Sequence, residues 1–227
     1  MIRVVVFDAY GTLFDVYSVS ALAEQLFPGH GAALSVIWRD KQIEYSRLIS
    51  LSDPTCPRSR HYQNFWTLTE RALAYACARL NLPLSQAQAD QLLGQYAKLQ
   101  AFPENLNVLQ TLYQRGVPCA ILSNGSPTML ESAVQSAGFA PYLDRVLSVE
   151  DVGQFKTHPS SYALVQQHYA VALSEVLFVS SNGWDALGAT WFGFQTCWVN
   201  RQGLPHETLG PAPTHTASDL NAVLSLV

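Results

Sequence analysis

Val4-Val5-Val6-Phe7-Asp8-Ala9-Tyr10-Gly11-Thr12-Leu13-Phe14 is the stretch of this 227-residue chain on which the fold turns. Its opening apolar run is long enough for a buried strand, and a glycine follows the acidic residue by three positions. Asp8 is therefore expected at the carboxyl end of an N-terminal strand, the end at which open α/β sheets bind ligands. An Asp after a strand is also a common helix N-cap or turn residue, and that reading stays open on this stretch alone.

Working outward, short β-like runs recur from about residue 100: Pro118 to Leu122, Val146 to Val149, Val176 to Val179 and Gln195 to Val199. Each precedes a polar or glycine turn and then an amphipathic segment. Gly116 and Gly138 fall where helices should end. Alternation of this kind predicts an α/β protein, a parallel sheet with helices on both faces, and Arg3 to Phe7 joins the same sheet.

Between residues 16 and 99 the strand signal disappears. Leu34, Ile37, Trp38, Lys41, Tyr45, Leu48 and Ile49 recur at helical spacing, as do the apolar residues of Tyr62 to Leu80. Ser52-Asp53-Pro54-Thr55-Cys56-Pro57 breaks two helices, and Ser85-x-x-Gln88 can act as a capping box for a third, running through Leu99. A helical insert directly after the first strand would sit above the sheet's carboxyl end and cover Asp8. The expected division is a core of residues 1–15 and 100–227 with a cap of residues 16–99. The tail near Gly210-Pro211-Ala212-Pro213 reads as a loop before a short last helix.

Composition sets outer bounds. Hydrophobic residues make up 48% and charged residues 13%, enough for a sizeable core and against disorder. The net charge of -4 does not favour nucleic acid or an anionic membrane as partner. No apolar run is long enough to span a bilayer, and Met1-Ile2-Arg3-Val4 leads straight into a strand without signal-peptide features. The four cysteines, Cys56, Cys77, Cys119 and Cys197, lack metal-type spacing. These features together predict a reduced, cytoplasmic protein without disulfides or zinc.

Further downstream three stretches can carry chemistry. Ser123-Asn124-Gly125 follows a strand, as an ordinary turn or as an anion site of hydroxyl and backbone N–H groups. Lys156 stands in Gly153-Gln154-Phe155-Lys156-Thr157-His158-Pro159, and Val179-Ser180-Ser181-Asn182-Gly183-Trp184-Asp185 follows the next strand. On the first insert helix, Arg39 sits at the edge of the apolar stripe near Gln42 and Ser46, an edge that can point into a cleft.

The pattern Asp8-x-x-Gly11-Thr12-Leu13-Phe14, with those stretches in that order, resembles the haloacid-dehalogenase superfamily, whose members use this Asp as a covalent nucleophile. The resemblance runs along nearly the whole chain and implies a Rossmann-like core under a helical cap. Phosphatases of the superfamily carry a second Asp two residues after the first; here that residue is Tyr10, as in the 2-haloacid dehalogenases. The metal-binding Asp of magnesium-dependent members falls at Ser181. Magnesium prefers hard oxygen ligands with carboxylates among them, and a phosphoryl group would lack both its metal clamp and its general acid. No metal and no cofactor are expected.

The resemblance also implies roles. Asp8 attacks C2 of a short L-2-haloalkanoic acid, within a motif that includes Thr12. Ser123 holds the substrate carboxylate, and Arg39 and Asn124 receive the halide. Lys156 keeps Asp8 anionic and in place, with Tyr162 in support; packing within a helix is the other reading of that tyrosine. Ser180, Asn182 and Asp185 match the dehalogenase spacing, with Asp185 directing water onto the ester. Trp184 is expected in the pocket wall, and Tyr10, Gln42 and Phe65 as substrate contacts.

Two departures stand out. Thr157 and His158 separate Lys156 from Pro159, where the family usually has Pro next to the Lys, and Asp40 replaces a residue that is neutral in some relatives. Relatives commonly form homodimers, which is the expectation here. The competing functions are a magnesium-dependent phosphatase or phosphonate hydrolase of the same fold and an idle binding module. Tyr10 and Ser181 argue against the first; retention of Asp8, Arg39 and Lys156 argues against the second.

Overall fold

A computed structural model describes residues 1–54 and 57–227; Thr55 and Cys56, in the expected helix break, lie outside the described residues. The sheet has six parallel strands: β1 (Val4–Phe7), β2 (Cys119–Ser123), β3 (Arg145–Ser148), β4 (Val176–Ser180), β5 (Gln195–Val199) and β6 (His215–Ala217), in the order β3-β2-β1-β4-β5-β6. Among the described residues eight α-helices accompany it: α1 (Ser20–Leu26), α2 (Gly31–Ser52), α3 (Phe65–Arg79), α4 (Gln86–Tyr96), α5 (Asn105–Gln114), α6 (Pro127–Ser136), α7 (Pro159–His168) and α8 (Gly183–Phe192). The α/β expectation holds. Each strand read from the sequence is present within one residue at either end.

β1 lies at the centre because it is apolar throughout and buried on both faces; Val5, Val6 and Phe7 are fully shielded. Burial of such side chains stabilises by about 1.5–3 kcal/mol each. Phe7 pairs with Ile121 of β2 and with Val179 of β4. The chain builds outward from β1 to β3, then crosses back to β4 on the other side. Strand order thus reverses beside β1, and a ligand crevice is expected above the carboxyl ends of β1 and β4. Asp8 is tied there by its own N–H, which donates to the Val179 carbonyl at 2.9 Å.

Local signals explain several boundaries. Gly116 and Gly138 follow α5 and α6 with φ of 71° and 69°, the left-handed conformation that ends a helix. Ser85 and Gln88 form the expected reciprocal capping box, although α4 stops at Tyr96, short of Leu99. β6 was not expected: the sequence reads as loop there. Its three residues are exposed or half-buried and carry no apolar run, and pairing with β5 alone defines it. The short last helix is a 3₁₀ segment, Leu220–Ser225.

α1 to α4 occupy the stretch after β1, as expected of a helical insert. The chain leaves and returns at one place, where Phe14 bridges Ala101 and the Asp15 N–H donates to the Gln100 carbonyl at 2.8 Å. α2 keeps most of the apolar stripe, with Leu34 and Trp38 in the core and Ile37, Tyr45 and Ile49 packed against it, but adds a polar one. Its shielded residues include Ser35, Arg39, Gln42, Ser46 and Ser50, whereas Leu48 is exposed. A polar stripe at helical spacing is thereby turned inward, against α3 and over the sheet. Cys119 and Cys197 lie buried in β2 and β5, and burial pushes their thiols up to about 12 and about 11.

Candidate active site

Asp8 closes β1 and turns into a tight loop. The Ala9 carbonyl accepts N–H bonds from Thr12, Leu13 and Phe14, and Gly11 takes a φ of 97° that suits glycine. The Asp8 carboxylate is held from three directions. Lys156 Nζ lies 3.1 Å from Oδ1, while the Thr12 hydroxyl and Asn182 Nδ2 donate to Oδ2 at 3.0 and 2.9 Å.

Lys156 arrives from the loop before α7. Despite Thr157 and His158, that loop delivers the ammonium to both carboxylates: Nζ also lies 2.9 Å from Asp185 Oδ2. The Lys156 N–H donates to Asn124 Oδ1 at 3.0 Å, and the His158 side chain caps α7. Asp185, in the first turn of α8, accepts from the Ser180 hydroxyl at 3.1 Å and from the Tyr162 hydroxyl at 2.8 Å. The Tyr162 ring reaches it because α8 carries Gly188 there; a Cβ would stand 2.5 Å from the Tyr162 oxygen.

Electrostatics follow from these distances. Two carboxylates face one ammonium in a place nearly free of water. Burial alone would push the Lys156 ammonium down, but Asp185 and Asp8 outweigh it and hold the group above its ordinary value. Burial, with Asp8 adding to it, pushes the Asp185 carboxyl up against the pull of Lys156. A carboxyl with a raised affinity for protons suits a base that must accept one. Burial and the Asp185 charge push the Tyr162 hydroxyl well above its usual value, so it remains a donor.

A small cavity opens beside Asp8, lined also by Tyr10, Arg39, Ile43, Phe65, Ser123, Asn124 and Trp184. The centre of a water molecule can occupy only about 10 Å³ of it, on the order of one water. α2 contributes Arg39, whose Nη2 donates to the Tyr10 carbonyl at 3.0 Å and lies 3.5 Å from Asn182 Oδ1. Asn64 caps α3 and so sets Phe65 at the cavity wall. Tyr10 stacks on Tyr96, with ring centres 5.9 Å apart, and passes over Gly125, where a Cβ would come within 2.7 Å of its ring. Ser123 is buried, its hydroxyl accepting the Gly125 N–H at 3.1 Å.

Of the residues expected in the site, Gln42 alone is not brought to this assembly. Its amide nitrogen donates to the Thr69 hydroxyl at 3.0 Å and its oxygen accepts from Tyr96 at 3.1 Å, so both ends join α2 to α3 and α4. A polar residue one turn from Arg39 was read as facing the cleft; the helix instead rotates it into the packing between helices. Ile43 was missed. It stands four residues after Arg39 on the same face of α2, a spacing that points to it. The Ser181 hydroxyl, at the metal-carboxylate position of magnesium-dependent relatives, is buried without a hydrogen-bond partner. Among the described residues no group of three His, Cys, Asp or Glu side chains is arranged to hold a metal ion.

Comparison with known proteins agrees with this geometry. The family described as haloacid dehalogenase-like hydrolase matches residues 2–193. The chain is 42% identical to an (S)-2-haloacid dehalogenase of Pseudomonas sp. (strain YL), over 99% of this chain and 94% of that one. The crystal structure of the L-2-haloacid dehalogenase RSc1362 superposes with a TM-score of 0.96 at 56% identity, covering 100% of this chain and 98% of that one. An L-2-haloacid dehalogenase from Xanthobacter autotrophicus, solved with chloropropionic acid covalently bound, gives 0.89 at 37% identity, with coverage of 100% and 98%. The chain therefore belongs to the haloacid dehalogenase-like hydrolases, on the branch that holds the 2-haloacid dehalogenases.

Proposed function

We propose that this protein hydrolyses short L-2-haloalkanoic acids to D-2-hydroxyalkanoic acids and halide, with inversion at C2 and through an ester on Asp8. The observation that carries the reading is the Asp8 carboxylate itself, gripped by Lys156, Thr12 and Asn182 at the edge of a nearly dry cavity with Arg39 across it. A carboxylate is a weak nucleophile in water, because solvation stabilises its charge; enclosure with positioned donors lets it attack carbon.

An Asp8 oxygen bonds to C2 as the carbon–halogen bond breaks, and the electron pair leaves with the halide. Arg39 and Asn124 take up that charge, while Ser123 and the backbone N–H groups of its turn hold the substrate carboxylate. Water then adds to the side-chain carbonyl carbon of Asp8, and Asp185 accepts its proton. The bond between the Asp8 carboxyl carbon and the oxygen on C2 breaks, that oxygen takes the proton held by Asp185, and the proton of the added hydroxyl is lost to solvent, which restores the Asp8 carboxylate. Ser180 and Tyr162 orient Asp185, and Trp184, Tyr10, Ile43 and Phe65 shield the reacting carbon. Ile43 and Trp184 separate this cavity from an outer recess that Asp40, Glu44 and Arg47 line.

In this reading residues 16–99 act as the cap, and residues 1–15 and 100–227 as the catalytic core. Chemistry needs no metal, since Lys156 supplies the charge that magnesium supplies elsewhere and Tyr10 and Ser181 offer no carboxylate. Halide release from L-2-chloropropionate in excess EDTA, with little from the D form, is the expected result. Release that stops on chelation and returns with magnesium, or magnesium-dependent turnover of p-nitrophenyl phosphate alone, would sink it.

We further propose a cytoplasmic setting, which the free buried thiols of Cys77, Cys119 and Cys197 support. Among the described residues no helix is long and apolar enough to cross a membrane. Exposed Val36, Leu48, Leu51 and Tyr75 on α2 and α3 support pairing of two copies. Sedimentation equilibrium at micromolar concentration should return twice the chain mass; a monomer there would exclude the homodimer.

A further inference from the structure

Behind the nucleophile lies a layer of polar side chains that none of these steps uses. Asn105, the first residue of α5, is wholly buried. Its Nδ2 donates to the carbonyls of Thr12 and Leu13 at 3.2 and 2.9 Å, while its Oδ1 has no hydrogen-bond partner. Only the donor side of this amide is in use. Arg201, just beyond β5, approaches the same Thr12 carbonyl through Nη2, a long contact of 3.5 Å. Its Nη1 pairs with Glu104 at 2.6 Å, and the guanidinium lies 3.9 Å from the centre of the Phe102 ring. Both charged side chains are 17% exposed.

Thr12 is where this layer meets the chemistry. Its hydroxyl accepts the Ser181 N–H at 2.8 Å and donates to Asp8 Oδ2. A hydroxyl with its acceptor side occupied has its proton directed at the carboxylate, provided the Thr12 backbone stays where it is. Local N–H bonds to the Ala9 carbonyl fix the turn's shape but not its seat on the core. Arg39 and Asn182 hold the Tyr10 carbonyl at the front of the turn, at 3.0 and 3.1 Å, and the Asp15 N–H donates to the Gln100 carbonyl at 2.8 Å; at the Thr12–Leu13 segment the seat comes from Asn105 and from the Phe102 N–H, which donates to the Leu13 carbonyl at 3.3 Å.

We propose that Asn105, backed by the Arg201–Glu104 pair, is a positioning residue for Asp8: it anchors the Thr12 turn and so aims the Thr12 hydroxyl at the nucleophile. It does this from the returning link of the helical insert, which makes that link and the nucleophile turn one unit. Its kinetic consequence rests on the dehalogenase reading; its structural consequence does not.

Asn105→Leu keeps approximately the side-chain volume and removes the donors, at no loss to the unpartnered Oδ1. The expected result is a fall in kcat on L-2-chloropropionate of about 10- to 100-fold with KM within about threefold, the scale of a misplaced reacting group. The Ser181 amide should exchange with solvent at least about tenfold faster, while those of Ile121 and Val179 in the central strands keep their rates. Arg201→Met should move both readouts in the same direction by less, and it decides the matter if Asn105→Leu does not fold. Unchanged kcat and unchanged Ser181 exchange would overturn the inference. So would exchange that rises alike at Ser181 and in the central strands, because that marks general loosening. A wild-type enzyme that releases no halide would instead remove the dehalogenase reading, and the Ser181 comparison would still decide the role of Asn105.

Discussion

Asp8→Asn should lower halide release by about 10⁴- to 10⁶-fold, the range found when a covalent nucleophile is removed. An amide oxygen lacks the negative charge and attacks carbon poorly. The change is close to isosteric, so the loss should appear without unfolding, although an amide nitrogen placed against Lys156 or Asn182 will cost some stability. In the wild type, a single turnover in oxygen-18 water should leave the label in Asp8, because water attacks the carbonyl carbon of the ester. Inversion at C2 follows, since that carbon is attacked once. Label in the hydroxyacid alone, or an Asn variant that keeps activity, would point to direct attack by water on C2 and give Asp8 the role of a base.

Lys156→Met should be the most damaging single change for fold and chemistry together. Lys156 is wholly buried, and its ammonium is the only cation that pairs with either Asp8 or Asp185 among the described residues. Methionine fills similar space but leaves two facing carboxylates buried without it. Breaking a buried pair in this way costs about 3–5 kcal/mol. The sign of the pH dependence follows from linkage. Without Lys156 the folded-state affinity of Asp185 for protons, already raised by burial, climbs further above that of the unfolded chain. The folded state then binds more protons, and stability falls as pH rises. Urea unfolding should find the variant closer to wild type near about pH 5 than near about pH 8. In the wild type the raised Lys156 value acts at the other end: its contribution is intact below the ordinary lysine range, at about 10.4, and is lost above it. Halide release should fall by at least about 10³-fold, because Asp8 loses the ammonium that holds its Oδ1 in place. A variant with equal stability loss at both pH values, or with near-normal turnover, would remove Lys156 from this role.

Much of the site was legible because strand-to-turn punctuation is local. The run ending at Phe7 announces a buried strand, and Asp8 follows it whatever the rest of the chain does. The same logic placed Ser123 and Asn124 at the end of β2 and Ser180, Asn182 and Asp185 at and after the end of β4, and parallel strands with a common direction bring those ends together. Gly116 and Gly138 were readable for a similar reason, since a positive φ after a helix is a demand on one residue. Gln42 was not readable. Whether a polar residue on the inner stripe of α2 faces the cavity or α3 depends on a small rotation of the helix, which packing sets. β6 was invisible because its only strand-forming interaction is with β5.

By itself the sequence determined the alternation of strand and helix and the place of Asp8 at the end of the first strand, and its resemblance to the haloacid-dehalogenase superfamily marked Asp8 as the nucleophile and Tyr10 and Ser181 as standing where phosphatases carry carboxylates. Each of these depends on residue type at a given place in the chain. Tertiary structure alone decided that Arg39 and Ile43 reach over Asp8, that Lys156 spans 3.1 and 2.9 Å to two carboxylates, and that Asn105 holds the turn behind them. Those contacts join residues far apart in the chain. Their distances come from how helices settle on a sheet, and no periodicity or local turn preference encodes that.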